Sequence, residues 1–373
     1  MTNKVDIKKI SQMVNDNRIQ WIDTAKLIGI FFMILGHLEW TFIMKGTSTV
    51  VIKWIYYFHM PLFFFLSGVT TKKCSIMETM RKCFYQLLLP YIFLCLIMWV
   101  WHIIILWGNT SDYVEDFLIK PLIGIFIGLG YDTNVSVSIP EALWFLLALC
   151  WCKVIYAILS KYKISLILNV VFSLGSFLVS FILFKTNRFI PLSIGSAFMV
   201  YPIFFVACYF SDFIKKICKK LSEHIFIPAI VGTGCYIFVY LFGVKVNGSV
   251  SVNQILFGNY FILFYINSLV GILGTLAFSV AIRKLGKVFS FLSKNTLLIM
   301  PFHVIIIQLL IKGIEMFSGK FLGFSMVQGV FFSFVVLLLC VFPIYFVRRF
   351  FPWIVSFPTK NNTNGMKKGD CNE

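Results

Sequence analysis

Ten stretches of this chain, each about twenty residues long and almost wholly apolar, leave a narrow choice of fold. They run roughly over 20–43, 54–72, 83–107, 140–159, 163–184, 190–211, 225–244, 260–282, 295–317 and 324–348. A helix of that length crosses the hydrocarbon of a bilayer while satisfying its own backbone. Hydrophobic residues make up 59% of the chain and charged ones 13%, too few polar groups to cover a soluble surface. The expected fold is all-α: a polytopic bundle of about ten transmembrane helices over 20–350. A cytoplasmic tail precedes it at 1–19, and a second follows at 351–373, frayed at its end.

The net charge of +18 invites a nucleic-acid reading, which its placement opposes. Twenty-three of the 33 lysines and arginines fall in one alternate set of connections and eight in the other. The positive-inside rule puts the rich set, with both termini, in the cytoplasm. No nucleic-acid partner is expected; the partner is the lipid bilayer. The polar tail before the first span lacks a small-residue cleavage site, so that span reads as an uncleaved anchor. The ten cysteines fall in spans or on the cytoplasmic side, which favours packing over a disulfide framework or a metal site. The longest external connection, about 108–139, has an apolar part at 117–130 broken by Pro121 and glycines. That part is too short to span and suits a re-entrant or interfacial segment. The polar loop 245–258 is either a contact for a polar acceptor or a plain linker.

The first span carries Asp23, Lys26 and His37 at membrane depth, where each ionisable group costs about 2.5–3.5 kcal/mol. Eleven residues separate Lys26 from His37, so on a helix they lie within about 20° of one face and about 16 Å apart along it. That geometry predicts a polar passage with an ammonium below and an imidazole above. Asp23 and Lys26, at i and i+3, either form an interfacial ion pair or leave Lys26 to meet a cytoplasmic anion. His37 reads as a general base in the outer half, or as a histidine bonded to a carbonyl across a helix interface. His59, ahead of Pro61 near the outer start of span two, is expected at a similar depth. Ser67-Gly68 removes bulk for another backbone or a thin ligand chain. His303 is placed in the inner half of span nine, as a site residue or a satisfied core histidine. Trp144 reads on physical grounds as an aromatic-belt residue. No metal ligand set or phosphate-loop motif is present.

Together, Trp21-Ile22-Asp23-Thr24-Ala25-Lys26 with Leu35-Gly36-His37, and Phe58-His59-Met60-Pro61 through Ser67-Gly68, resemble the integral-membrane acyltransferase family three. The likeness is greatest to its sugar (fucose-type) O-acetyltransferase branch. Leu88-Leu89-Pro90-Tyr91, Leu143-Trp144-Phe145-Leu146 and Asn295-Thr296 leading to Phe302-His303 extend it along nearly the whole chain. The resemblance implies about ten helices, a cytoplasmic acyl-coenzyme A donor and acetylation of a glycan hydroxyl. The family often has arginine where this chain has Lys26, and a basic residue where it has Gln86.

The expected function is that of a bacterial cell-membrane O-acetyltransferase moving acetyl from acetyl-CoA to a cell-surface polysaccharide or lipid-linked sugar. His37 is the expected base or acyl relay, with His59 assisting. Lys26, Arg81 and Lys82 are expected at the donor phosphates, and the thioester arm is expected to thread between spans one and two past Ser67 and Gly68. Asp23, Trp144 and His303 are expected to support the site, with no metal involved. A carrier or flippase for lipid-linked sugars is the alternative, since buried charges also serve transport.

Overall fold

A computed structural model describes residues 19–41, 48–106, 118–129, 131, 142–282, 284–318 and 325–354. Most of both tails, and the acidic part of the 108–139 connection, lie outside the described residues. The described chain is helical apart from turns and one isolated bridge, Ser251 to Leu256. Among the described residues, eight helical segments, of 19 to 29 residues, are long and apolar enough to cross a membrane. A ninth follows if Ile194–Tyr209 and Ser211–Leu221, which meet at 69°, count as one crossing. This is a multi-pass membrane protein.

The first span is α1 (Gln20–Thr41). The second is broken into α2 (Ser48–Tyr56) and α3 (His59–Val69). Pro61 explains part of the break: lacking an N–H, it leaves the carbonyl one turn back, on Tyr57, without its helical donor. Ser268 supplies one, its hydroxyl donating to Tyr57 O at 2.7 Å. The third span is one rod: α4 (Ile76–Cys83), a π-helical turn at Phe84–Leu88, and α5 (Leu89–Leu106). It starts before residue 83, so Arg81 and Lys82 ride on the same helical column that crosses.

The apolar segment expected to be re-entrant holds a short helix, α6 (Lys120–Ile127), ending at a left-handed Gly128. Tyr91 donates to Ile125 O at 2.7 Å and Ser193 to Gly128 O at 2.5 Å, tying it to the bundle. Next come α7 (Trp144–Leu159), only 16 residues long, α8 (Ser165–Thr186), α9 (Ile194–Tyr209) and α10 (Ser211–Leu221). The seventh span is α11 (Phe226–Phe238) running into a π-helical segment, Val239–Asn247. The polar loop after it is folded rather than a bare linker, with Val250, Val252, Ile255 and Phe257 buried. Asn247 Nδ2 donates to Phe257 O at 2.9 Å, and Tyr57 Oη donates to Gly243 O and Gly248 O.

The chain ends in α12 (Phe261–Ala281), α13 (Lys287–Ser293), α14 (Thr296–Ser318), α15 (Met326–Leu339) and α16 (Val341–Phe350). Helix α1 is the hub, touching α2, α3, α12, α13, α14 and α15. Its glycines permit the approach of span two. A Cβ on Gly29 would stand 2.9 Å from Leu62, and one on Gly36 would stand 3.4 Å from the Tyr56 ring.

Candidate active site

Three histidines converge where α1, α3 and α14 meet. His37 and His303 stack edge to face with ring centroids 5.1 Å apart. His37 lies within electrostatic reach of His59. Tyr56 links the two sides, with its ring 4.9 Å from that of His59 and against Gly36. His59 and His303 are buried, and His37 is half-buried. The Nδ1 atoms of His59 and His303 each lie 2.9 Å from the carbonyl one turn back, Ile55 and Ile299. A carbonyl only accepts, so each Nδ1 carries its hydrogen, and Nε2 of the neutral ring is the bare nitrogen.

The contact corrects the expected depth of His303, which lies level with His37 rather than in a separate inner half. The reason is the segment before it: Leu292, Ser293 and Asn295 are themselves buried, and Arg348 donates to Asn295 Oδ1 at 3.0 Å. Helix α14 therefore begins already inside the bundle, and counting from a surface start misplaces it. The expected passage from Lys26 to His37 is also overturned. Between them on the same face stand Ile30 and Met33, 0% and 1% exposed, as part of the main hydrophobic core. On the inner half, Trp21, Ile22 and Ala25 of α1 pack solidly with Leu62, Phe65, Leu66 and Val69 of α3.

A cavity of about 620 Å³ opens elsewhere, beyond the end of α3. Its walls are the 70–75 turn, α4, the π-helical turn, the last three turns of α7 and Ser160-Lys161 after it. Five lysines line it: Lys72, Lys73, Lys82, Lys153 and Lys161. Thr70, Thr71, Ser75, Thr79 and Ser160 add hydroxyls. Lys82 Nζ contacts Glu78 Oε1 at 2.8 Å and donates to Cys74 Sγ at 3.3 Å, which turns it into the cavity wall. Lys72, Lys73 and Lys161 are exposed and Lys82 is paired with Glu78, so the lysines give the cavity a cationic, partly solvated lining. The volume is that of an ordinary small-molecule site.

A family model described as an acyltransferase domain (acyltransferase family three) matches residues 19–346. The chain belongs to this family. It is an acyltransferase embedded in a membrane. Over 92 residues, 22% of this chain and 25% of the relative, it is 37% identical to nodulation protein NolL of Mesorhizobium japonicum (strain LMG 29417 / CECT 9101 / MAFF 303099). The match thus spans about a quarter of that relative's length. No solved structure matches the chain.

The remaining site residues of the acyltransferase separate cleanly. Lys82 lines the cavity; Lys26 and Arg81 do not. Asp23 and Lys26 are half-buried one turn apart on α1. Gly68 lets α9 approach closely: a Cβ there would stand 2.6 Å from Phe204 O and 2.8 Å from Ala207 Cβ of α9. The Ser67 carbonyl accepts from the hydroxyls of Thr70 at 3.1 Å and Thr71 at 2.7 Å, shaping the turn into the cavity. Trp144 is 3% exposed among Phe64 and its neighbours, so it is a core residue and not a belt residue. Gln86, where the family pattern has a basic residue, sits in the cavity wall on the π-helical turn.

Lys153 is the residue that the sequence reading passed over. A lone cation on an otherwise apolar helix is a site signal in its own right. Lys72, Lys73 and Lys161 gave no such signal, since they sat in connections whose charge topology already explained. Among the described residues no group of three or more His, Cys, Asp or Glu side chains is placed to hold a metal ion.

Proposed function

We propose that this acyltransferase is a bacterial cell-membrane O-acetyltransferase. It takes acetyl from cytoplasmic acetyl-CoA and esterifies a hydroxyl of a cell-surface polysaccharide or lipid-linked sugar. Ten crossings with cytoplasmic termini over 20–350 fit this reading: eight long helices, the bent α9–α10 pair and the short α7. The observation that carries it is the five-lysine cavity. It lies on the side that the charge distribution assigns to the cytoplasm, in a chain whose family transfers acyl groups. Coenzyme A presents phosphates to such a cavity, and the ammonium groups hold them as point charges. Phosphate binding therefore falls to Lys72, Lys73, Lys82, Lys153 and Lys161, not to Lys26 or Arg81.

The histidine cluster supplies the transfer chemistry. His37, the most accessible of the three rings, takes the proton of the acceptor hydroxyl as that oxygen attacks the thioester carbon. His59 holds the acceptor or assists. Thr71 at the cavity and His59 at the cluster are about 18 Å apart along α3, by helical rise. Between those levels lies an aromatic layer, with Phe64 4.7 Å and Phe63 5.9 Å from Phe145, ring centroid to centroid. Transfer requires that layer to part.

The test is thiol release from acetyl-CoA by purified full-length protein, with membranes of the source cells as acceptor. His37→Ala is expected to abolish transfer while expression and coenzyme A binding persist. Retained turnover would remove His37 from the reaction. Loss of polysaccharide export, with acetyl content unchanged in the exported polymer, would favour a carrier.

A further inference from the structure

Among the described residues, two buried side-chain polar atoms have no hydrogen-bond partner: Asn267 Oδ1 and His303 Nε2. The second stands at the reaction centre. His303 is wholly buried, and its Nδ1 is committed to Ile299 O. Its Nε2 is therefore a bare lone pair directed off its own helix. An unmet buried acceptor is costly, so such an atom persists where something else meets it. The neighbouring ring is His37, at 5.1 Å between centroids and 61° between planes. With His303 held by Ile299, rotation of the His37 ring can carry one of its nitrogens toward His303 Nε2.

We propose that His303 is a positioning residue for His37: its Nε2 accepts the hydrogen of one His37 nitrogen, fixing the tautomer that leaves the opposite nitrogen bare. The chain then runs Ile299 C=O, H–Nδ1 and Nε2 of His303, H–N of His37, and the unprotonated second nitrogen of His37, which meets the acceptor. As the acceptor O–H breaks, its proton passes to that unprotonated nitrogen, the oxygen bonds to the acyl carbon and the C–S bond breaks. The thiolate then takes the proton from His37. The His303 lone pair stabilises the transient imidazolium, and His303 itself stays neutral throughout. A buried imidazole thus fills the orienting place that a carboxylate holds in other dyads. Pro301, two residues before His303, loosens the turn that presents the ring.

This inference rests on His37 being the reacting imidazole, and the two are tested apart. His303→Asn keeps a donor for the Ile299 carbonyl and deletes the acceptor; His303→Gln restores an acceptor near the Nε2 position. In the acetyl-CoA assay with source-cell membranes, His303→Asn is expected to lower turnover by about 100-fold or more, as for a wrongly held base. Its KM for acetyl-CoA and its thermal midpoint stay at wild-type values, and His303→Gln recovers turnover to within about tenfold. Wild-type turnover in His303→Asn overturns the inference. So does an equal loss in both variants accompanied by a lowered midpoint, which marks a packing role. If His37→Ala itself turns over normally, the proposed function fails, whatever His303 does.

Discussion

Replacing Gly68 by alanine tests whether this glycine makes room for a helix or for a ligand. The added methyl carbon would stand 2.6 Å from Phe204 O, 2.8 Å from Ala207 Cβ and 3.2 Å from Cys208 N. Ordinary contacts of this kind lie at about 3.5–4.0 Å, so α3 and α9 must separate by about 1 Å. None of the three atoms ends a flexible side chain, so no rotamer change relieves the clash. Overpacking of this sort costs about 1–3 kcal/mol, or roughly 5- to 150-fold in the folded-to-unfolded ratio. Small residues hold this place between membrane helices because close backbone approach is what binds them. Thermal unfolding in detergent is the assay, read beside the KM for acetyl-CoA. The midpoint is expected to fall while the KM of the surviving fraction stays unchanged. A wild-type midpoint with a raised KM would refute the packing argument and put a ligand beside Gly68.

Two further outcomes test the cavity. Lys153→Met removes the deepest of its ammonium groups, and a hydrogen bond to a charged group is worth about 1.5–3 kcal/mol; the KM for acetyl-CoA should rise about 10- to 100-fold with turnover at saturation unchanged. An unchanged KM would take Lys153 out of donor binding. Cys74, in the cavity wall beside Lys82, should react with a maleimide, and coenzyme A should slow that labelling as followed by mass spectrometry. Labelling at the same rate with and without coenzyme A would place the donor elsewhere.

The reading of the site from sequence failed and succeeded at identifiable residues. Periodicity correctly put Lys26 and His37 on one face of α1, but nothing local told whether that face met a cavity or a core. Ile30 and Met33 fill it because α12, α14 and α15 press against α1 from parts of the chain far away. His303 was misplaced in depth by residue counting, since the buried approach through Leu292 to Asn295 depends on partners such as Arg348. Gly68 was legible as a close approach, while the identity of the approaching atom, a carbonyl on α9, was not. Trp144 looks the same in sequence at a lipid boundary or in a core.

Apolar run length and the uneven placement of lysine and arginine were enough to make this a multi-pass helical membrane protein, because bilayer thickness and backbone satisfaction act on each segment alone. The motifs around His37 and His59 were enough to name the family. Tertiary packing alone decided that lysines from two separate connections and two helices share a cavity, that His303 lies beside His37, and that the face between Lys26 and His37 is closed. Each of these depends on which distant helices meet, and a segment's own sequence carries its periodicity but not its neighbours.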